Sequence, residues 1–236
     1  MKFSQLLLLS VITYLVPNLM IGQVSNVQKN VHNKLHSKSF NKYLPGAVVD
    51  SGYFNSKQEN ERICFELMDQ VNRKKQHYII ENCFALSEVN VTSESEISIV
   101  RSSGALMLNK NAGNSGDFTF VKNPEFVEFL KDEGIALDND LYYFKIFLGD
   151  LDKSYILDIK KLDYQPTITE LGRLVWHDTS IRYIQEMNEL IPNVDLGEIS
   201  ILSAKNISVA KVQEIIDAGV EHIDFHTIKR MANQFN

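Results

Sequence analysis

The spacing of apolar and polar positions changes near residue 122. From Arg62 to Val121 the two kinds alternate every second residue in short runs, the period of half-buried strands. Beyond it, apolar residues recur three, four and seven places after a short polar residue, the period of an amphipathic helix. Asn123, Asp152, Ser180 and Ser208 open four such segments, 29, 28 and 28 positions apart. Each carries a side chain able to accept a backbone amide at a helix start. Behind them come Phe126, Val127 and Leu130; Tyr155, Ile156 and Ile159; Tyr183, Ile184 and Met187; then Lys211, Val212 and Ile215. Gly134 and Gly219 stop the first and last of these helices.

A second helix start lies between each pair. Thr167, Asp195 and Asp224 open it, with an earlier copy near Asp138 or Asn139, and the stripes read Leu171 and Leu174, Ile199 and Leu202, Ile228 and Met231. Thr167 with Glu170, and Asp195 with Glu198, form capping-box patterns. Helices of about ten residues do not persist alone, so they must stack. The pattern predicts four two-helix repeats of 28–29 residues over 122–236.

Upstream, Ile63–Met68 and His77–Cys83 read as strands around a basic turn, Gln70–Gln76. Glu96–Arg101 and Gly104–Leu108 form a second pair, and Gly116–Val121 follows an Asn/Gly/Ser loop. About five strands in an antiparallel meander over 51–121 give an α+β class overall. A turn centred between Arg73 and Lys74 would set Cys64 opposite Cys83 and close a cross-strand disulfide. The same register sets Glu66 against Glu81, which is unfavourable. A shifted register with two buried thiols therefore stays open beside the disulfide.

Residues 1–22 have the form of an export signal: Lys2, then an apolar run from Leu6 interrupted by Pro17 and Asn18, then Gly22 before Gln23. The run is also long enough to serve as an uncleaved anchor, and the two readings differ in whether the mature chain keeps it. No Cys follows the run, so this is not a lipoprotein signal. Residues 23–50 are polar and read as a linker. Export places the two cysteines where disulfides form, in the periplasm or outside the cell. A formal charge of −6 and a pI near 5.5 speak against a duplex nucleic-acid partner and against electrostatic docking on anionic lipid.

One family resemblance rests on short motifs in fixed order: Phe65-Glu66-Leu67, Phe84-Ala85-Leu86-Ser87-Glu88, Val100-Arg101-Ser102-Ser103-Gly104, Gly116-Asp117-Phe118-Thr119-Phe120 and Asn123-Pro124-Glu125-Phe126. In these, residues 62–236 resemble the extracytoplasmic region of some bacterial beta-lactam-sensor-type membrane metallopeptidases and related stand-alone exported proteins. The stretch Leu171 to Tyr183, with Val175-Trp176-His177-Asp178, resembles the linking segment of the repeat. The resemblance implies an accessory module for binding or sensing. It carries no protease activity, because the chain has neither the His-Glu-x-x-His zinc helix nor several membrane spans.

Candidates for chemistry are few. His222 and His226 flank Asp224 at zinc-ligand spacing, but Asp224 serves as a cap and no third ligand is indicated. His32 and His36 lie in the polar linker without partners. His177-Asp178 has no accompanying nucleophile, and Ser87 and Ser102-Ser103-Gly104 match neither a nucleophile elbow nor a phosphate loop. No catalytic, cofactor or metal residue is assigned. Among Trp176, Tyr142, Tyr143, Tyr155 and Tyr183, the last two belong to core stripes, and Trp176 is the contact candidate. The expectation is an exported, non-enzymatic protein whose helical array binds another envelope protein. The alternative is a sensory module holding a small ligand between its β part and its helices.

Overall fold

The computed structural model describes residues 49–69, 78–220 and 222–232. The proposed signal, most of the linker with His32 and His36, and the turn Gln70–Gln76 lie outside the described residues. Seven strands come first: β1 (Ser51–Glu59), β2 (Arg62–Asp69), β3 (Tyr78–Ala85), β4 (Val89–Val91), β5 (Glu96–Arg101), β6 (Gly104–Ala112) and β7 (Ser115–Lys122). They form one antiparallel sheet in the order β3-β2-β1-β7-β6-β5-β4. Two strands more than expected are present. β1 was hidden because Phe54 is its one bulky buried residue, and β4 is three residues long.

The strand order forces the sheet to curl. β3 and β4 occupy opposite ends of it, yet a single 3-10 turn, Leu86–Glu88, joins them. Four Cα steps reach about 14 Å at most, whereas the outermost strands of a flat seven-stranded sheet lie about 29 Å apart. Six antiparallel pairings separate the two, so β3 and β4 run in the same direction, as successive parts of one path along the seam. Phe54, Phe65, Leu67, Ile80, Phe84, Ile97, Ile99, Leu106, Leu108, Phe118 and Phe120 fill the concave side. Asn82 shares that side. It is buried, and its amide nitrogen and oxygen have no hydrogen-bond partner among the described residues.

Cys64 faces Cys83 directly and the two form a disulfide, with Cα atoms 3.9 Å apart. That close approach belongs to a non-hydrogen-bonded pair. Glu66 does face Glu81. Nearby, the exposed Lys57 pairs with Glu59 at 2.6 Å, which raises its ammonium above the ordinary range, with a smaller attraction from Glu81.

Eight helices follow: α1 (Pro124–Asp132), α2 (Asp140–Leu148), α3 (Lys153–Lys161), α4 (Ile168–Trp176), α5 (Ile181–Leu190), α6 (Leu196–Ala204), α7 (Val209–Asp217) and α8 (Phe225–Ala232). Each has its side-chain cap. Asn123, Asn139, Asp152, Thr167, Ser180, Asp195, Ser208 and Asp224 accept an amide from the residue two or three places on. The helices end on left-handed residues. Gly134 and Gly219 do this after α1 and α7, and Asp150, Asp163, Asp178, Asn193 and Asn206 do it after α2 to α6. After α1, α2, α4 and α6 the next residue turns inward: Ile135, Leu151, Thr179 and Ile207 are buried, and each amide bonds a carbonyl five residues back. This is the Schellman closure.

The helices form two layers. α2 packs against α4 and α4 against α6, while α3 packs against α5 and α5 against α7. Tyrosine hydroxyls tie the layers together: Tyr155 donates to the Thr179 carbonyl at 2.6 Å and Tyr183 to that of Ile207 at 2.7 Å. Where the first helix has Phe126 instead, the Ser102 hydroxyl donates to the Leu151 carbonyl at 3.4 Å. α2 is buried from Tyr143 to Leu148 because it lies between the sheet and its neighbours. Phe144 and Phe147 pack on Phe120 with ring centroids 4.8 and 4.9 Å away.

Candidate functional site

Two places gather polar chemistry on this scaffold. The first is the turn between β5 and β6, where Arg101 is almost fully buried. Its Nη1 donates to the Phe147 and Leu148 carbonyls at 2.8 and 2.6 Å, capping the negative end of α2. Its Nη2 pairs with Glu88 at 2.5 Å, and the guanidinium lies 5.0 Å from the Phe84 ring centroid. The neighbouring Ser103 carbonyl accepts from the Tyr143 hydroxyl at 2.6 Å and from the Asn123 amide at 3.0 Å. The bonds to Phe147, Leu148, Tyr143 and Asn123 join the sheet to the helices, while those to Glu88 and Phe84 tie the turn to the end of β3. The turn is therefore a structural rivet, and the rings of Phe120, Phe144 and Phe147 occupy the junction beside it.

The second place lies between α2 and α4. Gly172 makes it, since a Cβ there would come within 2.7 Å of the Tyr142 carbonyl oxygen. Lys145 Nζ lies 4.7 Å from the ring centroid of Tyr142, one turn earlier on its own helix, and the close helix approach brings it to 5.4 Å from that of Trp176. The Arg173 guanidinium lies 5.6 Å from the Tyr142 ring, and its Nε donates to the Tyr142 hydroxyl at 3.3 Å. His177, the residue after α4, completes the group. Lys145 and Trp176 are buried, at 3% and 8% exposure, while Tyr142, Arg173 and His177 are half-buried and form the rim.

The electrostatics follow from that burial. Loss of hydration pulls the Lys145 ammonium down to about 8, and the Arg173 charge adds to the effect. His177 is pulled down to about 4, by burial first, then by Lys145 and Arg173. Its imidazole is neutral at pH 7. Aromatic faces stabilise a buried cation without cancelling its charge. The arrangement can hold an anion against Arg173 and Lys145, or can present a partly neutral amine near pH 8.

The remaining candidates are dispersed. Tyr155 and Tyr183 serve the layer contacts already described, and burial raises both hydroxyls above the usual phenol range. Tyr143 is fully buried under the β5–β6 turn. Asp178 is the left-handed residue closing α4, and its charge acts on Tyr155. His222 lies in the loop before α8, and His226 is exposed on that helix. The sequence did not single out Lys145 or Arg173. The signal for Lys145 was present as the one charged residue in the apolar run Leu141 to Leu148. Arg173 looks like any surface arginine until α2 is set beside it.

No protein family, curated protein or solved structure matches the chain.

Proposed function

We propose that this chain is an exported, non-enzymatic protein whose eight helices act as four stacked two-helix repeats presenting a surface to another envelope protein. The observation that carries the reading is the side-by-side row α2, α4 and α6. Lys145, Arg173 and Ile201 each stand six residues after the cap of their helix, so neighbouring helices place equivalent positions side by side; Arg173 and Ile201 are partly exposed, and Lys145 is buried at the end of the row. Solenoids use such rows, because each added unit extends the surface without disturbing the core. Export is supported by the apolar leader and by the Cys64–Cys83 disulfide, which suits an oxidising compartment. The resemblance to the accessory region of sensor-type metallopeptidases points the same way.

The test is cross-linking in an envelope fraction. A single recurrent partner should couple to the wild-type chain and be lost with Ile201→Arg on α6, at unchanged circular dichroism. Recovery of monomer alone would remove the reading.

A further inference from the structure

We infer that the cluster of Tyr142, Lys145, Arg173, Trp176 and His177 is a carboxylate-binding site, and that its ligand class is an acidic peptide segment of a protein partner. The inference rests on the interaction reading above and assigns the chemistry of its partner.

The chain carries a net charge of −6, yet two adjacent helices set two cations against aromatic rings, Lys145 over Tyr142 and Trp176 and Arg173 over Tyr142, with His177 following the second helix. The basic groups act unfavourably on one another: Arg173 on Lys145, and both on His177. A carboxylate docking at the rim offsets that repulsion. Arg173 supplies the donors, since its planar guanidinium can offer two parallel N–H groups to one carboxylate. Half-buried, it is reachable without opening the core, and the ammonium of Lys145 lies beneath as a fixed positive floor. The ring of Tyr142 at the rim and the buried ring of Trp176 flank that ammonium at 4.7 and 5.4 Å.

A peptide fits better than a lone small anion because the surface continues past the cations. Ile201, the equivalent position on α6, is partly exposed and apolar, so a segment alternating acidic and apolar residues would find a complementary track. Trp176 is the single tryptophan, which makes it a built-in reporter 5.4 Å from the Lys145 ammonium.

The experiment titrates the mature chain with an end-capped hexapeptide of alternating glutamate and leucine, following Trp176 emission. The same peptide with glutamine for glutamate is the control, and sodium acetate and phosphate are titrated in parallel. A saturable change with the glutamate peptide alone is expected, weakened by about tenfold or more in Arg173→Gln and in Lys145→Met. Lys145→Met is scored only if its circular dichroism is native; Arg173→Gln, on the rim, carries the test otherwise. Equal binding of the glutamine peptide, unchanged affinity in Arg173→Gln, or no saturable response overturns the site. A full response to acetate or phosphate at peptide concentrations overturns the peptide assignment. If the peptide fails while the envelope cross-link persists, this site falls and the interaction reading stands. Loss of the cross-link itself removes both.

Discussion

His177 sits where burial and two cations act in the same direction. Its folded-state value, about 4, lies below the ordinary 6.5, so between those pH values the unfolded chain holds a proton that the folded chain does not. Stability contributed by the neutral imidazole is present above pH 6.5 and is lost as the pH falls toward 4. Lys145 and Arg173 face it and stay charged throughout that window. Urea unfolding at pH 7 and pH 5 should show a larger loss in the wild type than in His177→Asn, which cannot take up the proton; equal losses would contradict this. Asp150, Asp163 and Asp178 adopt the left-handed conformation that glycine takes after α1 and α7, because their short side chains tolerate it. A search for terminal glycines finds two of seven helix ends.

Among the elements, the α2–α4 pair is the tightest helix contact and the one that builds the candidate site. Gly172→Ala should weaken it despite the better helix propensity of alanine. The added methyl meets the Tyr142 carbonyl oxygen at 2.7 Å and its Cβ at 2.9 Å, and backbone cannot step aside cheaply. Overpacking costs about 2 kcal/mol and the propensity gain returns about 1, so a net loss of about 1 kcal/mol is expected. The measured loss in urea should come with a shift in Trp176 emission, because the ring rides on α4. A stabilised variant with unchanged emission would refute the close approach. The strands show what periodicity can and cannot recover. β7 alternates cleanly and β5 does so only in residue type, since Ser98 is buried between Ile97 and Ile99, whereas β1 buries one bulky side chain among Ser, Asn, Lys and Gln, and is held by pairing to β2 and β7 on its two edges.

For the whole molecule, one hydrophobic core runs from Phe54 in the sheet to Ile228 in the last helix. Short helices that depend on their neighbours should melt together. Ile184 is fully buried on α5, a different helix from the one that carries Trp176. Ile184→Ala should cost about 3 kcal/mol, with Trp176 emission and far-ultraviolet dichroism moving through one shared transition. A Trp176 signal that stays native while the dichroism falls would mean that the helices unfold piecemeal.

The order of the helices and of five of the seven strands, seven of the eight caps and the α+β class are written in local chemistry: period, short polar side chains, and residues that accept a left-handed turn. They can be read one segment at a time because each rests on contacts within about four residues. The β3–β4 seam, the place of Asn82 among apolar rings and the meeting of Lys145 with Arg173 and Trp176 cannot. Those depend on which strands share an edge and on how closely Gly172 lets α4 approach α2. Such distances exist only once separate parts of the chain have packed, and burial in that packing is what gives Lys145 and His177 their altered charge.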